Sequence, residues 1–225
     1  MLMVNKVYVA HYSPLKERKK ILLKKLNNYG IQVHWVENEP TEEDVERLHI
    51  NTPLLWEYKI TNLDYGGPIP HKQLTKSELS IAFKHLKIYE DVVANGVKTA
   101  LVLEDDVVFE DDFVNNFNFN LMNTPNDWDL IFIGSGCNLR IPKNKRIPGK
   151  IAYRKEHPAS KCVDSYLIKR SASDKIYNTI IPFTLPIDFE INHHMWAHDM
   201  VVYWWDPPVI TQGSQCGLYK SEIIK

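Results

Sequence analysis

The stretch Thr99 to Phe109 reads Thr-Ala-Leu-Val-Leu-Glu-Asp-Asp-Val-Val-Phe. Three consecutive carboxylates, Glu104, Asp105 and Asp106, stand between two apolar runs with no basic neighbour. A short apolar run of this kind fits the central strand of an α/β sheet. Ligands of such sheets bind just beyond the carboxyl ends of the strands. Carboxylates wedged there repel one another and are partly desolvated, and a divalent cation relieves both costs. Mg²⁺ and Mn²⁺ take oxygen ligands, usually one or two carboxylates together with substrate phosphates. A solvated acidic turn is the alternative, and the residues alone leave the two open.

Other groupings carry less. His194 and His198 are four apart on a predicted helix, with His193 and Asp199 beside them, but Met195 stands where the thermolysin-like zinc motif needs Glu. Arg140, Lys143, Lys145, Arg146 and Lys150 form a basic loop that could face phosphates, although such runs are more often solvated. The six-residue dinucleotide fingerprint, the GxSxG elbow and the Walker A pattern do not occur. Cys137, Cys162 and Cys216 are odd in number, widely spaced and without a CxxC pair. They predict reduced, mostly buried thiols, not a disulfide framework or a zinc site.

The net charge of −1 offers no general attraction to nucleic acid or anionic membrane. No apolar run approaches the ~20 residues of a membrane span, and the opening Met1-Leu2-Met3-Val4-Asn5-Lys6 breaks too soon for a signal peptide. These features predict a cytoplasmic protein, with peripheral membrane association left open. Oligomeric state is not legible.

The elements that must position the acids follow in order. Val7–Ala10 predicts a strand, and Lys16–Tyr29 an amphipathic helix ended by Gly30. Val33–Val36 predicts a second strand, making a βαβ unit and hence a largely parallel sheet. Thr41 opens a short helix. Residues 51–73 lose periodicity and carry Pro53, Gly66, Gly67, Pro68 and Pro70, which predicts a long loop. Thr75-Lys76-Ser77-Glu78 is a capping box before a helix that ends at Gly96. Asp111 and Asp112 predict the cap of the next helix. Trp128–Gly134 and Ser165–Ile168 predict strands, Ser171–Ile180 a helix, and Asp188 the cap of a helix through His198. Val201–Trp205 and Val209-Ile210 predict late strands. No repeat or linker divides residues 1–225, so a single domain is expected.

Three stretches together resemble glycosyltransferase family 25, which includes lipooligosaccharide and procollagen galactosyltransferases. Val7 to Tyr12 with Arg18 is similar to the family's opening strand, turn and arginine-bearing helix, His11-Tyr12 standing in for Asn-Leu. Leu74 to His85 matches a second segment at Glu78 and His85, but differs around Ser77, Ser80 and Lys84. Ala100 to Val107 is nearly the family's acidic segment.

The resemblance implies a GT-A-like, Rossmann-like fold: a mostly parallel central sheet flanked by helices. It implies transfer of a hexose, galactose or glucose, from a UDP-sugar to a hydroxyl of a glycan or glycoprotein, with inversion and with Mn²⁺ or Mg²⁺. Glu104 and Asp106, alternate residues on one side of an extended segment, would hold the metal, with Asp105 turned toward the nucleotide. His11, Tyr12, Arg18, Glu78 and His85 would border the donor. Asp188 and Glu190 are the candidates for general base. A sugar-nucleotide-binding protein without turnover and a metal-dependent phosphohydrolase are the rival classes.

Overall fold

The first 36 residues build the βαβ unit that their periodicity predicts. In the computed structural model, which describes residues 1–63, 65, 69 and 71–219, β1 (Lys6–Ala10) leads through α1 (Lys16–Asn28) to β2 (His34–Val36), parallel to β1. Gly30, at φ +65°, turns the chain after α1. Next come α2 (Glu42–Leu48), α3 (Pro53–Thr61) and α4 (Lys76–Ala94). β3 (Thr99–Glu104), β4 (Val107–Phe109), α5 (Phe113–Met122) and β5 (Leu130–Phe132) follow. The chain continues with β6 (Ala152–Lys155), β7 (Ser165–Lys169) and α6 (Arg170–Tyr177). It closes with α7 (Ile187–Ala197), β8 (Val202–Trp205) and β9 (Ile210–Gln212).

Seven strands form one sheet in the order β2-β1-β3-β7-β5-β8-β6. β2, β1, β3, β5 and β8 run one way, and β7 and β6 run against them. The sheet is therefore mixed but mostly parallel, as in Rossmann-like α/β folds. β4 and β9 pair as a separate antiparallel ribbon beyond the end of β3.

Alternation along the strands divides the core in two. Tyr8, Ala10, Ala100, Val102, Tyr166 and Ile168 face α4, α6 and α7, while Val7, Val9, Leu101, Leu103 and Leu167 face α1 and α5. With helices on both faces, β1 and β3 are buried throughout their apolar length, which explains their continuous apolar runs.

Some expectations give way. Residues 53–61 of the presumed loop are helical, because Pro53 occupies the first turn of α3, where its missing N–H costs nothing. Part of the rest of that loop, including Gly66, Gly67, Pro68 and Pro70, lies outside the described residues. Asp112 stands at the start of α5 in a left-handed conformation, φ 53°, and its side chain does not cap. α7 begins after Pro186, so Asp188 lies inside its first turn and not at the cap. Cys137 and Cys216 are exposed and Cys162 is partly so, against the expectation of buried thiols.

Candidate active site

β3 delivers the acidic stretch to the carboxyl edge of the sheet. Strand geometry ends at Glu104, and the turn Asp105-Asp106 passes directly into β4. The three acids meet different surroundings. Asp105 accepts from His11 Nδ1 at 2.7 Å, Arg18 Nη1 at 2.9 Å and the Tyr12 backbone N–H at 3.1 Å. Burial alone would raise its pKa, but these donors outweigh burial and hold the carboxyl below the usual range. Asp105 therefore ties the turn after β1 and the first turn of α1 to the end of β3.

Asp106 Oδ2 accepts from the Ser214 N–H at 3.2 Å, and its buried Oδ1 has no partner among the described residues. Burial raises its pKa. Glu104 is raised well above the carboxylate range, first by burial and then by the charges of Asp106, Asp164, Asp105 and Asp188.

Asp164 was not singled out in the sequence. It immediately precedes β7, its backbone carbonyl accepts from Glu104 N–H at 2.8 Å, and it is 1% exposed. Oδ2 accepts from Ser165 Oγ at 3.0 Å, while Oδ1 has no partner among the described residues. Burial pushes its pKa up to about 7. The turn after β5 makes room for it: a Cβ on Gly134 would lie 2.0 Å from Asp164 Oδ2, and one on Gly136 would lie 2.9 Å from Oδ1. The Gly-Ser-Gly turn is thus the imprint of a buried acid. Asp188 completes the group electrostatically. Burial and then the charge of Glu78 raise it to about 6, against the N–H of Phe189, whose bond to Oδ1 is 3.1 Å.

Glu104, Asp105 and Asp106, though not Asp164 or Asp188, border a cleft of about 660 Å³ of open space. Glu104, Asp105 and Asp106 form one wall, and Tyr12, Leu15 and Arg18 a second. Ser80, Ile81 and Lys84 project from α4, and Gln212 and Ser214 close the rim from beyond β4. Lys84 is buried and donates to Glu39 Oε1 at 2.6 Å and Ser80 Oγ at 2.6 Å. Burial lowers its pKa, against the pull of Glu39 and Asp105. The cleft thus combines acids, two cations and an apolar strip, the complement of a ligand with a phosphate and a ring. Lys84 lies at a position where the sequence departs from the family pattern, which was its only signal.

Five predicted residues are not part of this lining: His11, Asp188, His85, Glu190 and Glu78. His85 is wholly buried in the core, 2.8 Å through Nδ1 from the Tyr166 hydroxyl and stacked on that ring. Burial, then the charge of Lys84, lowers its pKa to about 3, so it is a neutral core histidine. Glu190 is also fully buried. It pairs with Lys59 Nζ at 2.6 Å and accepts the backbone N–H groups of Thr184 and Leu185, which anchors α7 to α3. Glu78 closes the capping box: Oε2 accepts the Thr75 N–H at 2.8 Å, and Oε1 meets Lys72 Nζ at 2.6 Å. His194 and His198 share the Thr179 hydroxyl, at 3.1 and 2.9 Å. Among the described residues no three His, Cys, Asp or Glu side chains converge as a ready-made metal site.

The family model described as glycosyltransferase family 25 (LPS biosynthesis protein) matches residues 4–191. The chain belongs to this family. Procollagen galactosyltransferase 2 of Homo sapiens is 25% identical over 190 residues, covering 82% of this chain and 29% of that protein. The probable inactive glycosyltransferase 25 family member 3 of Rattus norvegicus is 37% identical over 73 residues, covering 31% of this chain and 13% of that protein. The chain thus spans under a third of the length of these relatives. The inositol-1-phosphate CTP transferase from T. maritima superposes with a TM-score of 0.48 at 11% identity, over 94% of this chain and 90% of that one. Among the described residues no helix is long and apolar enough to cross a membrane.

Proposed function

We propose that this chain transfers a hexose, galactose or glucose, from a UDP-sugar to a hydroxyl of a glycan or glycoprotein acceptor, with inversion. Family membership supports glycosyl transfer, and the observation that carries the finer reading is the acid-walled cleft. Its Asp106 presents a buried carboxylate oxygen, without a partner among the described residues, beside the half-buried Glu104. That pair fits a divalent cation such as Mn²⁺ or Mg²⁺. Two carboxylates suit an ion that also takes phosphate oxygens, and among the described residues no third His, Cys, Asp or Glu joins them. When bound, the cation would supply Lewis-acid stabilisation of the charge on the departing nucleoside diphosphate.

The chain's own residues do the rest. Asp105 locks His11, Tyr12 and Arg18 at the end of β1, so the donor meets a fixed wall. Arg18 and Lys84 offset phosphate charge, and Leu15 and Ile81 keep water from the apolar part of the donor. Asp188 is the base that takes the acceptor's proton. With a pKa of about 6 it is ionised at neutral pH yet basic enough to hold that proton transiently. Glu190, enclosed by Lys59 and the backbone, serves α7 as an anchor.

The test pairs binding with turnover. UDP, UDP-galactose and UDP-glucose are screened by thermal shift with and without Mn²⁺, because a ligand that binds only the folded state raises its stability. The same donors are then assayed for transfer to a panel of glycan acceptors. Mn²⁺-dependent stabilisation by UDP compounds is expected, to be lost in Asp106→Asn. Stabilisation by none of them, or an unchanged response in Asp106→Asn, overturns the reading. Metal-dependent binding without turnover across the panel would place this chain with its relatives named inactive. Donor hydrolysis unaffected by acceptor would make it a phosphohydrolase.

A further inference from the structure

Next to Asp164, two cysteines that are 25 residues apart in sequence come into contact: Cys137 Sγ and Cys162 Sγ lie 3.0 Å apart. Cys137 sits in the turn that leaves β5 and Cys162 in the segment that presents Asp164, and both hold left-handed backbone, at φ 50° and 58°. The approach is built in from both sides. A Cβ on Gly136 would lie 2.4 Å from the Lys161 carbonyl and 2.5 Å from Cys162 Cβ, so only glycine lets the two segments meet. Cys137 is exposed, and its sulfur also accepts from the Gln215 side chain at 3.6 Å. Cys216, the third cysteine, points its sulfur at the Gly213 carbonyl, 3.5 Å away.

We propose that Cys137 and Cys162 form a dithiol–disulfide couple. It exchanges with low-molecular-weight disulfides such as glutathione disulfide and, when oxidised, ties the exit turn of β5 to the segment carrying Asp164. The Cys137 sulfur is the attacking group. The hydrogen bond from Cys162, the first cause, holds the Cys137 pKa down against burial and favours its thiolate, whereas the same bond and burial push Cys162 up. The Cys137 thiolate attacks one sulfur of glutathione disulfide. A Cys137–glutathione bond forms, the glutathione S–S bond breaks, and one glutathione thiolate leaves. Cys162, giving up its proton to that thiolate, then attacks Cys137 Sγ and expels the second glutathione. Two protein thiols are oxidised to one disulfide, and one glutathione disulfide is reduced to two glutathione thiols.

The fold makes this pairing selective. The two sulfurs already touch, so the second step needs no domain movement, and the exposed Cys137 is the one a small disulfide reaches first. The closed loop would contain the basic stretch Arg140–Lys150 and β6, so its oxidation state would set how firmly the wall behind Asp164 is held.

The experiment exposes reduced, folded protein to glutathione disulfide at neutral pH, then counts thiols after denaturation and maps disulfide-linked peptides by mass spectrometry. Two of the three thiols should be lost, with one cross-linked peptide pair containing Cys137 and Cys162 and Cys216 left free. Cys162→Ser should stop at the first step, with a single glutathione on Cys137. Cys216→Ser alters neither sulfur and should keep the cross-link, which leaves the test open should Cys162→Ser fail to fold. Three remaining thiols, a Cys137–Cys216 bond, or glutathione on both Cys137 and Cys162 without a cross-link would each overturn the proposal.

Discussion

Replacing Asp164 by Asn should change stability with a sign that depends on pH. In the folded protein the Asp164 carboxyl titrates near pH 7, against a reference value of 3.8, because it is almost fully buried with one oxygen unpartnered. A difference of about three pKa units, at about 1.4 kcal/mol each, costs the wild type roughly 4 kcal/mol once the group is ionised in both states. The sign follows from linkage. A raised folded pKa leaves full stability below the unfolded pKa, and that stability is lost as pH rises toward the folded value. Asn keeps the shape and cannot ionise, but it buries an amide N–H₂ with few acceptors, at a cost of about 1–3 kcal/mol. The variant should therefore match the wild type or fall below it near pH 4. At pH 8 it should be more stable by about 1–3 kcal/mol, a rise in melting temperature of roughly 2–12 °C at about 2–4 °C per kcal/mol for a chain of this size. Chemical denaturation of both proteins across pH 4–8, in the presence of a chelator to keep cations away, reads this directly. Parallel stability curves would refute the assignment of a buried, strained carboxyl at this position.

Two further outcomes separate structural acids from chemical ones. Glu190→Gln leaves the buried Lys59 ammonium without its 2.6 Å partner, and thermal unfolding should show a loss of about 3–5 kcal/mol. If Glu190→Gln keeps wild-type stability and abolishes transfer, Glu190 is the base and Asp188 is not. Glu78→Gln keeps the acceptor for the Thr75 N–H and gives up only the pairing with the half-exposed Lys72, so stability should change by no more than about 1 kcal/mol and donor binding should be unaltered. A drop in donor affinity at constant stability would instead put Glu78 in the sugar pocket.

What the sequence made legible and what it hid divide along physical lines. Elements written in local periodicity were readable: the βαβ start, the capping box of Thr75 and Glu78, and the apolar run of β3. Each is specified by residues within one or two turns of one another. α3 was hidden because Pro53 reads as a breaker unless its place in the first turn is known. β6 was hidden because Ala152–Lys155 carries too short a pattern, and it forms only because β8 offers an edge. The direction of β7, antiparallel between β3 and β5, has no local signature at all; it depends on the path the chain takes from β6.

The site shows the same division more sharply. That three acids end a buried strand can be read from eleven residues, but what each acid does is decided by partners far away. Asp105 is held by His11, 94 residues earlier, so its carboxylate is already taken up by protein donors. Among the described residues Asp106 keeps one oxygen without a partner, because Ser214, 108 residues later, satisfies only the other one. Glu78, His85 and Glu190 matched a pattern of residue types, yet the helix start, the Tyr166 ring and the Lys59 ammonium take up their polar atoms first. Asp164 matched no motif, but its burial is recorded indirectly in Gly134 and Gly136, whose missing side chains make the space it fills. A glycine pair beside a strand end is thus a usable sign of a buried group on the neighbouring strand. Here it points to a carboxyl whose charge raises the pKa of Glu104 and whose own pKa is raised by the charge of Asp106. That repulsion is the physical reason a cation should be welcome between them.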